Sequence, residues 1–310
     1  MARHQHGTFA EGTRAHHHLE WGLRAGVSAA ELAEALVAVR AANADHRTTG
    51  GVNLVIGLGP RAWNLVRGDR PAPEGLRAFP GYATADGRLS APATQRDVWT
   101  WAHGSTPDVV IDVVRAVAAA LDLVATLELD QPGFTYHDSR DLTGFVDGSA
   151  NPFLDDAPDE ACIPDGRPGS GGCTALTMRF VHDLASFHAQ TLADQERTIG
   201  RTKDHSEELD PTPTDAHIAR AEAEGADGDE LVVYRRSVPF ATAAEQGLYF
   251  VSFGRDLNRF DLQLRRMYGI ADDGPVDRLL SFTTPQTGSF WFCPSVDDLD
   301  AVAPVPDDEG

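Results

Sequence analysis

Cysteine is scarce in this chain: Cys162, Cys173 and Cys293 are the only three among 310 residues. None stands in a C-x-x-C pair, so the spacing encodes no disulfide framework, and free thiols fit a reducing compartment. Basic residues are also in short supply, with 26 Lys and Arg against 47 Asp and Glu, a formal net charge of −21. A surface that acidic repels phosphate backbones and anionic headgroups, so neither nucleic acid nor a membrane surface is an expected partner. Long apolar runs are missing too. The longest apolar-rich stretch, Val109 to Leu129, is broken by Asp112, Arg115, Asp122 and Glu128, whereas a bilayer span needs about 20 apolar residues in succession. The opening Met1-Ala-Arg-His-Gln-His-Gly7 holds neither a signal-peptide core nor a twin-arginine element. Together these absences predict a cytoplasmic protein.

What is present is a core. Apolar residues make up 42% of the chain, enough for one large domain or two ordinary ones and too much for disorder. His16 to Leu23 alternates as a strand does, and Ser28-Ala-Ala-Glu31 ahead of Leu32, Leu36, Val37 and Val39 reads as a capping box opening a helix. Gly51 to Gly57 and Asp97 to His103 read as strands, Pro107 to Leu121 as a helix and Leu123 to Leu129 as a closing strand. Residues 140–173 are rich in Gly, Pro, Asp and Asn and read as a long loop. The pattern then recurs: Ala175 to Val181 (strand), Ser186 to Gly200 (helix), Glu230 to Phe240 and Gly247 to Gly254 (strands), Leu257 to Tyr268 (helix), Ser289 to Cys293 (strand). The predicted fold class is α+β, with two ferredoxin-like units over 1–145 and 174–310 joined by 146–173. Each unit would be an antiparallel sheet with peripheral helices, leaving a helix-lined or loop-lined space between the two sheets.

Three segments carry residues suited to chemistry. In Gly144-Phe-Val-Asp-Gly-Ser-Ala-Asn-Pro152 an acid sits between glycines that permit close backbone approach to a bound group and is followed by an Asn-Pro turn, although an Asx turn is the ordinary reading of an Asp-Gly pair. A calcium loop fails there, because Pro152 stands where an EF-hand needs Gly and Pro158 where it needs Glu. His217, in Asp215-Ala-His-Ile-Ala219, is a candidate ligand for haem iron, and by itself also an ordinary surface histidine. The triplet His16, His17 and His18 is split by strand alternation and reads as surface. In Leu231 to Phe240, alternation puts Val233, Arg235 and Ser237 on one face and Tyr234 and Arg236 on the other, so Arg235 enters the interior and Arg236 meets solvent. A buried cation needs an anion or a ligand, and a salt bridge to an acid of the first unit is the bland alternative.

Read together, these segments form a recognisable series. Gly144, Asp147 and Gly148 (G-x-x-D-G), Ile199-Gly-Arg-Thr-Lys203, the His217 segment, Arg235-Arg-Ser-Val-Pro-Phe240, Leu248-Tyr-Phe250 and Phe282-Thr-Thr-Pro-Gln-Thr-Gly288 follow one another in the order seen in the dye-decolourising peroxidases. The chain resembles that family over nearly its whole length, and most of all its shorter bacterial class. The resemblance implies a peroxidase that reduces hydrogen peroxide through a ferryl intermediate and oxidises dyes, phenols or similar small aromatic reductants. It implies one non-covalent haem b in the C-terminal unit, consistent with the lack of a C-x-x-C-H attachment motif. His217 then corresponds to the proximal iron ligand, Asp147 and Arg235 to the distal pair, Arg201 to a propionate contact and Asp277 to an acid bonded to the proximal imidazole. Gly148 and Phe250 would lie at the cofactor, and Ser237 stands where an asparagine is commoner in the family. Bulky reductants would be oxidised at the surface through Trp or Tyr; Trp21, Trp63, Trp99, Trp101 and Trp291 are the tryptophan candidates, with core packing the ordinary role for such residues. A homo-oligomer is expected, and packaging in a protein shell is not, because Ala301 to Gly310 lacks an apolar docking segment. The rival reading is a haem-delivery protein with incidental peroxidase activity, which would need His217 but not Asp147 together with Arg235.

Overall fold

The computed structural model describes residues 3–43, 51–225, 228, 230–271 and 274–305. In the first half, strands β1 (Ala15–Leu23), β2 (Asn53–Leu58), β3 (Val98–Gly104) and β4 (Ala125–Phe134) pair antiparallel in the order β4-β1-β3-β2. The second half contributes β5 (Cys173–His182), β6 (Tyr234–Arg235), β7 (Val238–Ala241), β8 (Gln246–Gly254), β9 (Thr283–Pro285) and β10 (Ser289–Cys293). Its order is β10-β5-β8-β6, with β7 also on β8 and β9 on β5. In the first half the last strand lies beside the first, the first beside the third and the third beside the second; the second half repeats this order when the interrupted β6 and β7 count as one strand and the short β9 is set aside. The duplication expected from the pattern of elements is therefore present in the topology. The halves join where Phe292 of β10 pairs with Leu58 of β2, which makes one ten-stranded sheet.

Local chemistry accounts for the helices. Ser28 Oγ accepts from the Glu31 amide at 3.3 Å while the Glu31 carboxylate accepts from the Ser28 amide at 2.9 Å, closing the capping box at the start of helix Ala29–Ala41. Helix Pro107–Leu121 starts on its proline and buries Val110, Val113, Val117 and Leu121 against the first half-sheet. The predicted Ser186 to Gly200 helix is two shorter ones, Leu184–His188 and Leu192–Ile199, because Thr191 caps a new start by accepting from the Asp194 amide. No helix among the described residues is long and apolar enough to cross a membrane.

Between the half-sheets the structure departs from expectation. The space there is walled by strands and filled with rings: Trp99, Trp101, Tyr234, Tyr249, Phe253 and Trp291 form one buried cluster. His18 of β1 stacks on Tyr249 of β8 with centroids 4.1 Å apart, and Trp99 and Trp101 both approach Phe253. Strands that far apart in the sheet order touch only because the sheet folds its faces together. All five tryptophans are 0% exposed, so they are packing residues, and the idea of any of them as a surface oxidation point is withdrawn. The histidine triplet is likewise not a surface feature. Only His17 faces outward, bonded to Asp130, whereas His16 and His18 are buried in the ring cluster. Burial pushes His16 down to about 3 and His18 far below its usual range, so both rings are neutral.

The predicted strand Glu230 to Phe240 is broken. The Arg236 amide keeps its ladder bond to the Val251 carbonyl at 2.8 Å, but Ser237 Oγ accepts from the Val251 amide at 3.3 Å, which interrupts the ladder between β6 and β7 without a shift of register. Arg236 shares a face with Tyr234, as alternation requires, but that face packs on the buried ring cluster and does not meet solvent as expected. Its guanidinium donates to the carbonyls of Thr8 and Ala10 at 3.0 and 2.7 Å and lies 5.1 Å from the Trp101 ring centre.

Candidate functional site

The loop that follows the first half is held by one arginine. Arg140 Nη1 donates to the carbonyls of Gly144 at 2.8 Å and Lys203 at 2.7 Å, docking the Ile199-Gly-Arg-Thr-Lys203 segment onto the G-x-x-D-G loop. Gly148 has φ of +74°, a left-handed conformation that glycine adopts without cost, and a Cβ there would come within 3.0 Å of Asn151 Nδ2. Asn151 spans to the neighbouring strand: its Nδ2 donates to the Arg235 carbonyl at 2.8 Å and its Oδ1 accepts from the Arg235 amide at 3.0 Å. This two-point clamp fastens the Asp147 loop to β6.

Asp147 and Arg235 consequently line the same three adjoining clefts. Burial raises the Asp147 carboxyl above the usual carboxylate range, and the Arg235 charge is the strongest opposing influence. The bland alternative for Arg235, a salt bridge to the first half, is absent among the described residues. Its Nε is buried with no hydrogen-bond partner.

Two of these clefts are also lined by His217, the first residue of helix His217–Ala221. Its Nδ1 lies 2.7 Å from Oδ2 of Asp277, which is 0% exposed. Asp277 also accepts from the Leu279 amide at 2.8 Å, capping the turn Arg278–Ser281, so the carboxylate is fixed from both sides. That bond assigns the imidazole proton to Nδ1 and leaves Nε2 with a lone pair and no partner among the described residues. His217 lines both inner clefts. One is apolar, walled by Leu176, Met178, Phe180, Leu248, Phe250 and Phe260; the other is polar, with Arg201 and Gly148 on its wall. Arg201 donates from Nη1 to the Ser206 carbonyl at 2.9 Å and pairs with Glu208 at 2.5 Å, while its Nε stays buried and unpartnered.

The site thus joins residues spread over 130 positions of the chain, His217 bonded to Asp277 and Asp147 under the charge of Arg235, around shared clefts. Ser237 is the exception among the expected residues: it lines the wider outer cleft and its hydroxyl is engaged with Val251, so it does not reach the inner clefts. Two residues at the site were not anticipated. Asn151 figured only as part of a turn, and His182, which lines the apolar cleft between Asp141 (3.0 Å) and Thr283 (2.7 Å), not at all. The chemistry this arrangement admits is a flat, largely apolar group with an anionic edge and a metal that takes an imidazole nitrogen.

The N-terminal domain pattern of the Dyp-type peroxidases matches residues 10–135 and the C-terminal domain pattern matches residues 138–298. The chain belongs to the Dyp-type peroxidase family. Among its relatives, the dye-decolorizing peroxidase of Mycobacterium tuberculosis is 33% identical over 261 residues, covering 82% of this chain and 77% of the relative. A variant of Rhodococcus jostii RHA1 DypB, solved in complex with haem, superposes with a TM-score of 0.88 at 30% identity, covering 96% of this chain and 98% of that one. The encapsulated Dyp-type peroxidase of Mycobacterium smegmatis superposes with a TM-score of 0.90 at 31% identity, covering 99% and 100%. The likeness thus extends over nearly the whole length of this chain.

Proposed function

We propose that the inner clefts hold one non-covalent haem b with His217 Nε2 as its protein ligand, and that the protein reduces hydrogen peroxide on the Asp147 and Arg235 side at the expense of small aromatic reductants. The observation that carries this reading is a carboxylate-backed imidazole that lines the same apolar cleft as a buried acid and a guanidinium. The fit is specific. Apolar walls suit a porphyrin body, and the buried unpartnered Nε atoms of Arg201 and Arg235 call for an acceptor that the described residues do not supply.

When bound, haem supplies an iron that binds peroxide and accepts its oxidising equivalents. The chain does the rest. Asp147, its carboxyl raised by burial, is suited to take a proton at Oδ from the nearer peroxide oxygen and return it to the farther one. Arg235 stays cationic at any working pH and stabilises the negative charge that develops on the departing oxygen. Asn151 keeps those two groups in register through the Arg235 backbone. Asp277, by accepting from Nδ1, makes Nε2 a stronger donor. Arg201 is placed to meet a propionate, Gly148 lets the backbone approach closely, and Phe250 supplies part of the apolar wall. Ser237 shapes the outer cleft.

In this division of labour residues 1–145 form the scaffold half, 146–173 carry the distal acid and 174–310 cradle the cofactor. The proposal includes a cytoplasmic location, supported by the three unpaired cysteines, and a homo-oligomer. Light scattering of the purified protein tests the assembly. Storage or delivery of haem would need only His217, and it leaves the clamped Asp147 and Arg235 pair without a task. The deciding experiment loads the protein with haem, records its Soret band and assays peroxide-dependent bleaching of an anthraquinone dye. The proposal expects turnover in the wild type and loss of haem retention in His217→Ala. A loaded wild type that binds peroxide without turnover, or a His217→Ala variant that retains haem unchanged, would overturn it.

A further inference from the structure

All three cysteines of the chain lie in one cluster that the peroxidase chemistry does not use. Cys173 of β5 pairs across the sheet with Cys293 of β10 on one side and forms an isolated antiparallel bridge with Cys162 on the other. The sulfurs of Cys162 and Cys173 are 3.3 Å apart. The Ile163 amide donates to the Gly172 carbonyl at 2.8 Å, which makes Cys162 and Cys173 the non-hydrogen-bonded kind of antiparallel pair. Side chains come closest in such pairs, with Cα atoms about 4.5 Å apart, inside the ~4.4–6.8 Å range that a disulfide spans. Cys162 is half-buried and open to a small oxidant, whereas Cys173 and Cys293 are buried.

We propose that Cys162 and Cys173 are a reversible dithiol–disulfide site oxidised by hydrogen peroxide, the substrate of the protein's own family. The Cys162 thiolate sulfur attacks one peroxide oxygen, the O–O bond breaks, and the departing hydroxide takes up the thiol's proton to leave as water. The resulting sulfenic acid is attacked by the Cys173 sulfur, its S–O bond breaks, and a second water leaves with the Cys173 proton. Two thiols are oxidised to one disulfide and one peroxide is reduced to two waters. The order of events follows from access and from the thiols' surroundings: the contact with the Cys162 sulfur, and then burial, pushes the Cys173 thiol up, and burial pushes up that of Cys293, which keeps both protonated. The bond would close the loop 163–172 and tie helix Ala157–Ala161 to β5. It thereby anchors the far end of the connection that begins at the Asp147 loop. Oxidation is thus expected to stiffen that connection and raise the melting temperature.

The inference borrows its oxidant from the peroxidase reading, but its readout is thiol chemistry, which is scored separately from dye turnover. The haem-loaded protein is reduced, treated with excess hydrogen peroxide, denatured and alkylated, and its peptides are mapped. Alkylatable thiols should fall from three to one, with a 162–173 link in the map, a raised melting temperature and full reversal by dithiothreitol. Cys293→Ser should still form the link, and Cys162→Ser should keep both of its remaining thiols. Persistence of three thiols, oxygen added to a single cysteine without a link, or a link that involves Cys293 would overturn the proposal.

Discussion

Replacing Asn151 by alanine removes both hydrogen bonds that hold the backbone of Arg235, at 2.8 and 3.0 Å, while leaving every charged group of the site in place. Each bond contributes about 0.5–1.5 kcal/mol net, and more where the abandoned partner cannot reach water. Arg235 is half-buried, so water can repair part of the loss, and the expected destabilisation is about 2 kcal/mol. For a chain of this size that lowers the melting temperature by about 4 °C. The clamp also sets where the guanidinium sits relative to Asp147, so the peroxide-splitting step should slow by about tenfold, equivalent to ~1.4 kcal/mol of lost transition-state stabilisation. Asn151→Asp should fall between the two, because it keeps an acceptor for the Arg235 amide and loses the donor to its carbonyl. The assays are differential scanning calorimetry and stopped-flow mixing of the haem-loaded proteins with peroxide. An alanine variant that melts and reacts like the wild type would refute the clamp.

Other expectations follow from the same geometry. Arg235→Leu should slow peroxide cleavage at least as much as Asp147→Ala, since water substitutes for a proton carrier more readily than for a fixed charge; an unchanged stopped-flow rate in the leucine variant rejects this. Because the Arg235 charge holds the raised Asp147 carboxyl down, Arg235→Leu should also move the acid limb of the pH–rate profile to higher pH. Glu20 is fully buried, accepts from Tyr249 at 2.6 Å and Thr177 at 3.2 Å, and is pushed up to about 7 by burial. The folded protein therefore holds a proton that the unfolded chain has already released, so this group's contribution is intact below the usual glutamate range and is lost as pH rises through about 7. The loss is of the order of ~3 kcal/mol, and urea titrations at acidic and alkaline pH should show Glu20→Gln gaining on the wild type only at the alkaline end. Arg201→Ala should weaken haem retention by about tenfold without moving the Soret band, because a charge-assisted hydrogen bond to a propionate is lost while the iron ligand is kept. Competition with apomyoglobin measures it.

Elements with a strong local signature were legible in the sequence. Helix Pro107–Leu121 and strand Ser289–Cys293 appear with the bounds their spacing dictated, and Ser28 with Glu31 forms the capping box its motif promised. Alternation failed where it had to choose which face is inward. It separated His17 from His16 and His18 correctly, yet only the second sheet face, brought over by the long-range pairing, makes the His16 and His18 side the interior. The same holds at Arg236, which alternation rightly grouped with Tyr234 but on a face that the ring cluster makes interior. The residues of the site were legible as motifs, and their convergence was not. Asn151 illustrates the limit, since a side chain that clamps a backbone 84 residues away leaves no periodic trace.

The most direct test of the central arrangement is the iron–histidine stretching band in the resonance Raman spectrum of the reduced, haem-loaded protein. The wild type should show the band, His217→Ala should lose it and Asp277→Asn should shift it to lower frequency, because the imidazole loses the carboxylate behind Nδ1. A band that survives His217→Ala, or that is indifferent to Asp277→Asn, would contradict that arrangement.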